Sequence, residues 1–262
     1  MSIPASAPGV PDGELVLEGR IMPASNATFL GRIDTTAGRV QVVYKPVAGE
    51  RPLWDFPDGT LAGREVAAFL VSDALGWDIV PPTWLGDGPH GVGMVQEWRE
   101  VDPAQSAVAV VRPDEVPPGY LAVFDGVDAE DEQVVLVHED TAPLRRMAVF
   151  DVVTNNADRK GGHILEMPDG HRYGVDHGLT FHREHKLRTV LWGWEEQLLE
   201  PEEADGVRRL LAALGSGLGD ALAPHLTDVE IVVLGRRCER LLEKGRFPSP
   251  QGQWPVIPWP PF

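Results

Sequence analysis

A chain of 262 residues, 43% of them hydrophobic, is long enough for one large domain or a two-lobed catalytic unit with a sizeable core. Its formal charge of −17 repels phosphate backbones and anionic lipid surfaces, which argues against nucleic-acid binding as the main activity. No apolar run approaches the roughly 20 residues of a membrane helix, so no transmembrane segment is expected. The one cysteine, Cys238, has no disulfide partner within the chain, which suits a reducing cytoplasmic location.

Residues 1–13 read as a flexible leader, rich in Pro, Ala and Ser, without the basic and apolar regions of a signal peptide. Residues 14–100 read as a first lobe. Leu15, Leu17 and Ile21 begin a strand pattern, and Pro23 to Thr28 make a polar loop before the chain turns apolar at Phe29. That loop has no G-x-G-x-x-G pattern and reads equally well as an ordinary hairpin loop. From Arg39 to Lys45, Val40, Val42 and Tyr44 share one face of a strand and Gln41, Val43 and Lys45 the other, with Lys45 at the end before Pro46. A helix is expected from Leu61 to Leu75, stopped by Gly76. It sets Glu65 on the inward side with Leu61 and Phe69, and a carboxylate there needs a cation. Strands at Thr83–Leu85 and Val92–Glu97, with a turn over Gly86–Pro89, lead toward a hinge at Glu97–Glu100.

Residues 101–246 read as a second, mainly helical lobe. Asp125–Asp140 is markedly acidic, as a solvated loop would be. Thr141 can cap a helix with Pro143 in its first turn, and Leu144, Met147, Ala148 and Val152 form its apolar stripe up to Asn155, leaving Arg145 and Arg146 to solvent. Pro201–Leu214 is a second helix. Thr227-Asp228-Val229-Glu230 is a capping box opening a third, whose Ile231, Leu234, Cys238, Leu241 and Leu242 face a core, so Cys238 reads as a small buried hydrophobe. The tail, 247–262, carries six prolines with Trp254, Trp259 and Phe262. It is expected to be extended, its aromatics seeking an apolar groove on this lobe or on a partner.

Most chemical information lies between Phe150 and His182. The polar runs NADRKGGHIL and YGVDHG flank the turn Met167-Pro168-Asp169-Gly170, as the two arms of a hairpin would. Asp158 is followed five positions later by His163, and Asp176 opens Asp176-His177-Gly178; the basic residues His182, Arg183, His185, Lys186 and Arg188 come next. Phosphoryl transfer needs a carboxylate at the acceptor hydroxyl and side chains that hold the metal bridging the phosphates. Kinases order these as a catalytic Asp, an Asn five residues on, and a D-F-G aspartate.

At these residues the sequence resembles the phosphatidylinositol 3- and 4-kinase-like superfamily, including the HipA-type bacterial kinases, whose catalytic loop reads N-x-D-R-H-x-x-N. Asn156, Asp158 and Arg159 match; Lys160 replaces the His and His163 the final Asn. The resulting D-R-K-G-G-H is similar to an actinobacterial branch. The resemblance covers about thirty residues in detail. It implies an α+β, bilobal protein-kinase-like fold with a mainly β N-lobe carrying one helix and a mainly α C-lobe, with ATP and Mg2+ or Mn2+ in the cleft.

It further implies Asp158 orienting or deprotonating the acceptor, Lys160 on the transferring phosphate, and Asp176 with His163 on metal. Lys45 would hold phosphates, paired with Glu65; Ser25, Asn26 and Thr28 would line the phosphate loop, and Glu97 would mark the adenine hinge. Arg159 is expected in a structural ion pair. The acceptor implied is a protein hydroxyl or small molecule, a phosphoinositide among those the resemblance allows, with the basic run facing it. A nucleotide-binding pseudokinase acting as an interaction protein is the first alternative. A metal-dependent hydrolase built on His163, Asp176, His177, His182 and His185 is the second.

Overall fold

The computed structural model describes residues 11–22, 26–251 and 255–262; Ser25, Trp254 and most of the expected leader lie outside them. Strands β1 (Leu15–Arg20), β2 (Phe29–Thr35), β3 (Gly38–Pro46), β4 (Thr83–Gly88) and β5 (Gly91–Glu97) form an antiparallel sheet in the order β1-β2-β3-β5-β4. The alternation read in β3 holds: Val42 and Tyr44 are fully buried against Leu15, Ile33 and Val95. The expected Gly86–Pro89 turn is displaced. The strands continue to Gly88 and resume at Gly91, leaving the turn to Pro89 and His90. The glycines serve packing there, since a Cβ on Gly88 would lie 2.7 Å from the Tyr44 ring.

Helix α1 (Leu61–Leu75) forms as its sequence implies. The Thr60 hydroxyl accepts from Gly63 N–H, and Gly76 ends the helix in the left-handed region at φ 72°. Its buried face, with Ala67, Ala68, Val71 and Leu75, belongs to the core of the C-terminal helices, whereas the sheet has a small core of its own. Buried Arg64 fastens this arrangement: it donates to Thr180 O (2.7 Å) and Asp58 O (2.9 Å) and pairs with Glu230 at 2.7 Å.

The acidic segment is not a solvated loop. Strands β6 (Val108–Val111), β7 (Tyr120–Val127) and β8 (Gln133–Glu139) form a second antiparallel sheet, order β6-β8-β7. Val135, Leu136 and Val137 are buried, and net charge taken over the whole segment masks that apolar run.

Helix α2 (Ala142–Thr154) follows, with Pro143 in its first turn and Asn155 ending it in the left-handed region. Thr141 does not cap it with its side chain; the hydroxyl donates to Glu139 Oε1 at 2.8 Å. Nor does Arg145 face solvent: it pairs with Glu203 at 2.9 Å and its guanidinium lies over the Trp194 and Phe247 rings. An arginine stem packs readily on aromatic faces while its head finds a carboxylate, so helical periodicity alone misassigns it.

The β-hairpin of β9 (Ile164–Glu166) and β10 (Arg172–Gly174) sits on either side of the expected turn, with the two polar runs forming loops outside it. Helices α3 (Pro201–Ala213), α4 (Gly219–Leu222) and α5 (Asp228–Lys244) complete the second lobe, and Thr227 and Glu230 close the capping box foreseen at α5. Cys238 is fully buried, and burial pushes its thiol up to about 12, as befits a packing residue. Of the tail aromatics expected in a groove, Trp259 is 84% and Phe262 51% exposed, so the groove does not enclose them; Phe247, at the start of the tail, is buried. No helix among the described residues is long and apolar enough to cross a membrane.

Candidate active site

Three segments far apart in sequence converge where the sheet meets the helical lobe. Lys45, on the next-to-last position of β3, extends its Nζ to Glu65 Oε1 on α1 at 3.0 Å and to Asp176 Oδ1 in the loop after β10. Glu65 is 3% exposed, and its second oxygen accepts from the His177 backbone N–H at 2.8 Å. The carboxylate therefore ties strand, helix and the Asp176-His177-Gly178 turn together. Burial raises the Glu65 pKa against the pull of Lys45. Burial also works to lower the Lys45 pKa, but Asp176 and Glu65 outweigh it and hold the ammonium charged. Lys45 in turn keeps the Asp176 carboxyl well below its ordinary range.

The loop after α2 is built on a buried charge pair. Asp151 and Arg159 are both 0% exposed at the side chain and meet at 2.9 Å. Asn156 Nδ2 donates to Asp151 Oδ1 at 2.9 Å, while Asn156 Oδ1 accepts from Asp158 N–H at 3.0 Å. These bonds leave Asp158 pointing out of the loop with its side chain 26% exposed and Lys160 Nζ 3.8 Å away. Burial raises the Asp158 pKa, opposed by Lys160, His163 and Arg188.

His163 Nδ1 hydrogen-bonds the Asp158 backbone carbonyl at 2.8 Å. A carbonyl only accepts, so Nδ1 carries the proton and Nε2 presents a lone pair, 3.6 Å from Asp176 Oδ2. Burial lowers the His163 pKa, which favours this neutral form. A nitrogen lone pair facing a carboxylate oxygen is a donor set that fits a divalent cation. Among the described residues no group of three or more His, Cys, Asp and Glu is placed to hold a metal, so this pair would need phosphate or water oxygens to complete a coordination sphere.

The remaining expected positions are engaged within the protein. Asn26 Oδ1 accepts from Arg51 N–H at 3.0 Å, and Thr28 is buried with its hydroxyl on Asn26 O. Glu97 ends β5 with its carboxylate on Arg99 at 2.9 Å; its N–H reaches Pro82 O and that of Trp98 reaches Gln41 O. The basic run is open only in part: Arg183 and His185 are exposed, and the other three are engaged. His182 is buried, Lys186 pairs with Asp55 at 3.1 Å, and Arg188 Nε donates to Ala157 O.

Two buried residues complete the site: Asp151, which patterning did not single out, and His177, read there only as a metal ligand of the hydrolase alternative. Asp151 had a signal, a carboxylate inside the apolar run Val149–Val153. His177 is fully buried, its Nε2 2.7 Å from Arg159 Nη2, and burial first, then Arg159, drive its pKa well below the ordinary value. An arginine only donates, so Nε2 accepts and Nδ1 bears the proton, 3.9 Å from Glu65 Oε2. Charged and polar groups thus follow one another from Asp151 through Arg159, His177 and Glu65 to Lys45 and Asp176, the link from His177 to Glu65 being made by the His177 backbone N–H, since its Nδ1 has no hydrogen-bond partner.

The five-stranded sheet, the mainly helical second lobe and the site at their junction define an α+β, bilobal protein. No family model matches the sequence. The chain is 52% identical over 260 residues to Protein Rv2133c of Mycobacterium tuberculosis, covering 96% of this chain and 93% of that one, and it belongs to the family of that protein. Among solved structures it is similar to the Helicobacter pylori proinflammatory kinase CtkA at a TM-score of 0.48 and 11% identity, over 89% of this chain and 94% of that chain.

Proposed function

We propose that the protein is an ATP-dependent phosphotransferase of the phosphatidylinositol 3- and 4-kinase-like type. The observation that carries this reading is Lys45 Nζ bonded at once to Glu65 and Asp176 from three separate segments. That constellation suits a lysine held for the α- and β-phosphates and an aspartate held for metal. His163 and Asp176 would hold Mg2+ or Mn2+, which when bound neutralises phosphate charge. Asp158, its pKa raised by burial, would accept or orient the acceptor hydroxyl, and Lys160 beside it would stabilise charge on the transferring group.

The acceptor reading is a protein hydroxyl or a small molecule. A phosphoinositide gains no support from the basic run, whose lysine is engaged by Asp55. The test is ATP turnover with manganese in the presence of cell extract as acceptor source. Asp158→Asn should lower it by about 10²–10⁴ while nucleotide still raises the melting temperature. ATP-dependent stabilisation with no turnover in either protein would decide for the pseudokinase.

A further inference from the structure

The Pro-rich tail has no part in the site as built so far, yet its last residues lie on the catalytic loop. Gly161 N–H donates to Pro261 O at 2.8 Å, and a Cβ on Gly161 would sit 2.7 Å from Phe262 Cδ1. Nothing about backbone conformation demands a glycine there, because Gly161 is absent from the positive-φ positions. Its neighbour Gly162 meets nothing within 4 Å, so the ring of Phe262 accounts for Gly161 and only for Gly161.

A second grip lies further back on the tail. Val256 O accepts from Thr189 N–H and from Trp192 Nε1, both at 3.0 Å. Thr189 pairs with Arg159 as an isolated parallel bridge, with Arg159 N–H on Arg188 O and Val190 N–H on Arg159 O, each at 3.1 Å. The tail therefore holds the loop directly at Gly161 and, through Thr189, at Arg159, on both sides of Lys160. It does not cover the chemistry: the Asp158 and Lys160 side chains stay 26% and 20% exposed.

We infer that residues 255–262 are a strap that positions the catalytic loop, with Phe262 as a positioning residue acting on Asp158 and Lys160 through Gly161. The inference rests on the phosphotransferase reading for its kinetic consequence only. A loop whose Gly161 N–H and glycine face are held by the strap keeps its carboxylate in register, and a displacement of about 1 Å at such a group can cost up to about a hundredfold in rate.

The experiment compares wild type, Phe262→Ala, Gly161→Ala, their double variant and Phe262→Leu by hydrogen exchange of the peptide spanning 159–164 without nucleotide, and by manganese-ATP turnover. In Phe262→Ala the exchange should rise about tenfold, as a local opening would, with the melting temperature within a few degrees. Turnover should fall about tenfold with the KM for ATP unchanged within about twofold. Gly161→Ala should do the same by expelling the ring, the double variant should be no worse than either, and Phe262→Leu should recover most of the loss. Unchanged exchange in Phe262→Ala overturns the strap. A rise in turnover also overturns it, since the tail would then be a block. If wild type turns over no ATP, the phosphotransferase reading fails while the exchange result still decides the strap.

Discussion

Lys45→Met perturbs the charge network at its centre. Methionine fills the lysine stem but leaves Glu65, 3% exposed, with the His177 N–H bond and no adjacent cation. Removing one partner of a buried pair costs about 3–5 kcal/mol. The other carboxylate, Asp176, is 47% exposed at its side chain and turns to water cheaply, so the lower end applies, about 3 kcal/mol. At roughly 2–4 °C per kcal/mol for a chain of this size, the melting temperature should fall by about 6–12 °C. Read from sequence alone, a lysine facing a site would be nearly neutral in stability.

The pH dependence follows with a definite sign. Burial already raises the Glu65 pKa, and loss of the cation raises it further above the ordinary 4.5. A carboxyl whose folded pKa exceeds its unfolded value binds its proton better when folded, so the destabilisation is full above the folded pKa and shrinks as pH falls through it. Adding Glu65→Gln removes the charge and keeps an acceptor for His177 N–H. The double variant should regain most of the lost stability at neutral pH and stay inactive. Differential scanning fluorimetry from pH 5 to 8 reads all of this. An unshifted melting temperature in Lys45→Met, or a double variant no more stable than the single, would refute the network.

Two further expectations rest on separate residues. If His163 Nε2 is a metal ligand, His163→Asn exchanges nitrogen for oxygen and should move the ratio of manganese- to magnesium-supported turnover toward magnesium; an unchanged ratio removes His163 from the metal site. His138, fully buried, bonds Glu139 O through Nδ1 at 2.9 Å and accepts from Gly193 N–H at Nε2 at 3.0 Å, which fixes a neutral ring. Burial depresses its pKa below 6.5, so its stabilisation is complete above that pH and is lost as pH falls toward the folded pKa. The melting-temperature gap between wild type and His138→Leu should therefore narrow between about pH 7.5 and 5, and a constant gap refutes the assignment.

The sequence by itself determined the elements whose signals are local. Helix α1 with its Gly76 stop, the α5 capping box, the β3 alternation and the turn between β9 and β10 each depend on residues within a few positions of one another, where backbone preferences and side-chain periodicity act without help from the rest of the chain. Glu65 was legible for the same reason, as an acid on an apolar helix face. What only the tertiary structure decided depends on contacts across long separations. Strand β8 hides within an acidic stretch until Leu136 is seen packed in the main core. Arg145 leaves solvent because Glu203, Trp194 and Phe247 happen to meet it. His177 takes its proton on Nδ1 because Arg159, eighteen residues earlier, already occupies Nε2. The tail finds the Asp158 loop a hundred residues back, and no local pattern near Gly161 encodes that Phe262 fills the space of its missing Cβ. Periodicity reports which face of an element is buried, but the partner that buries it is set by chain topology.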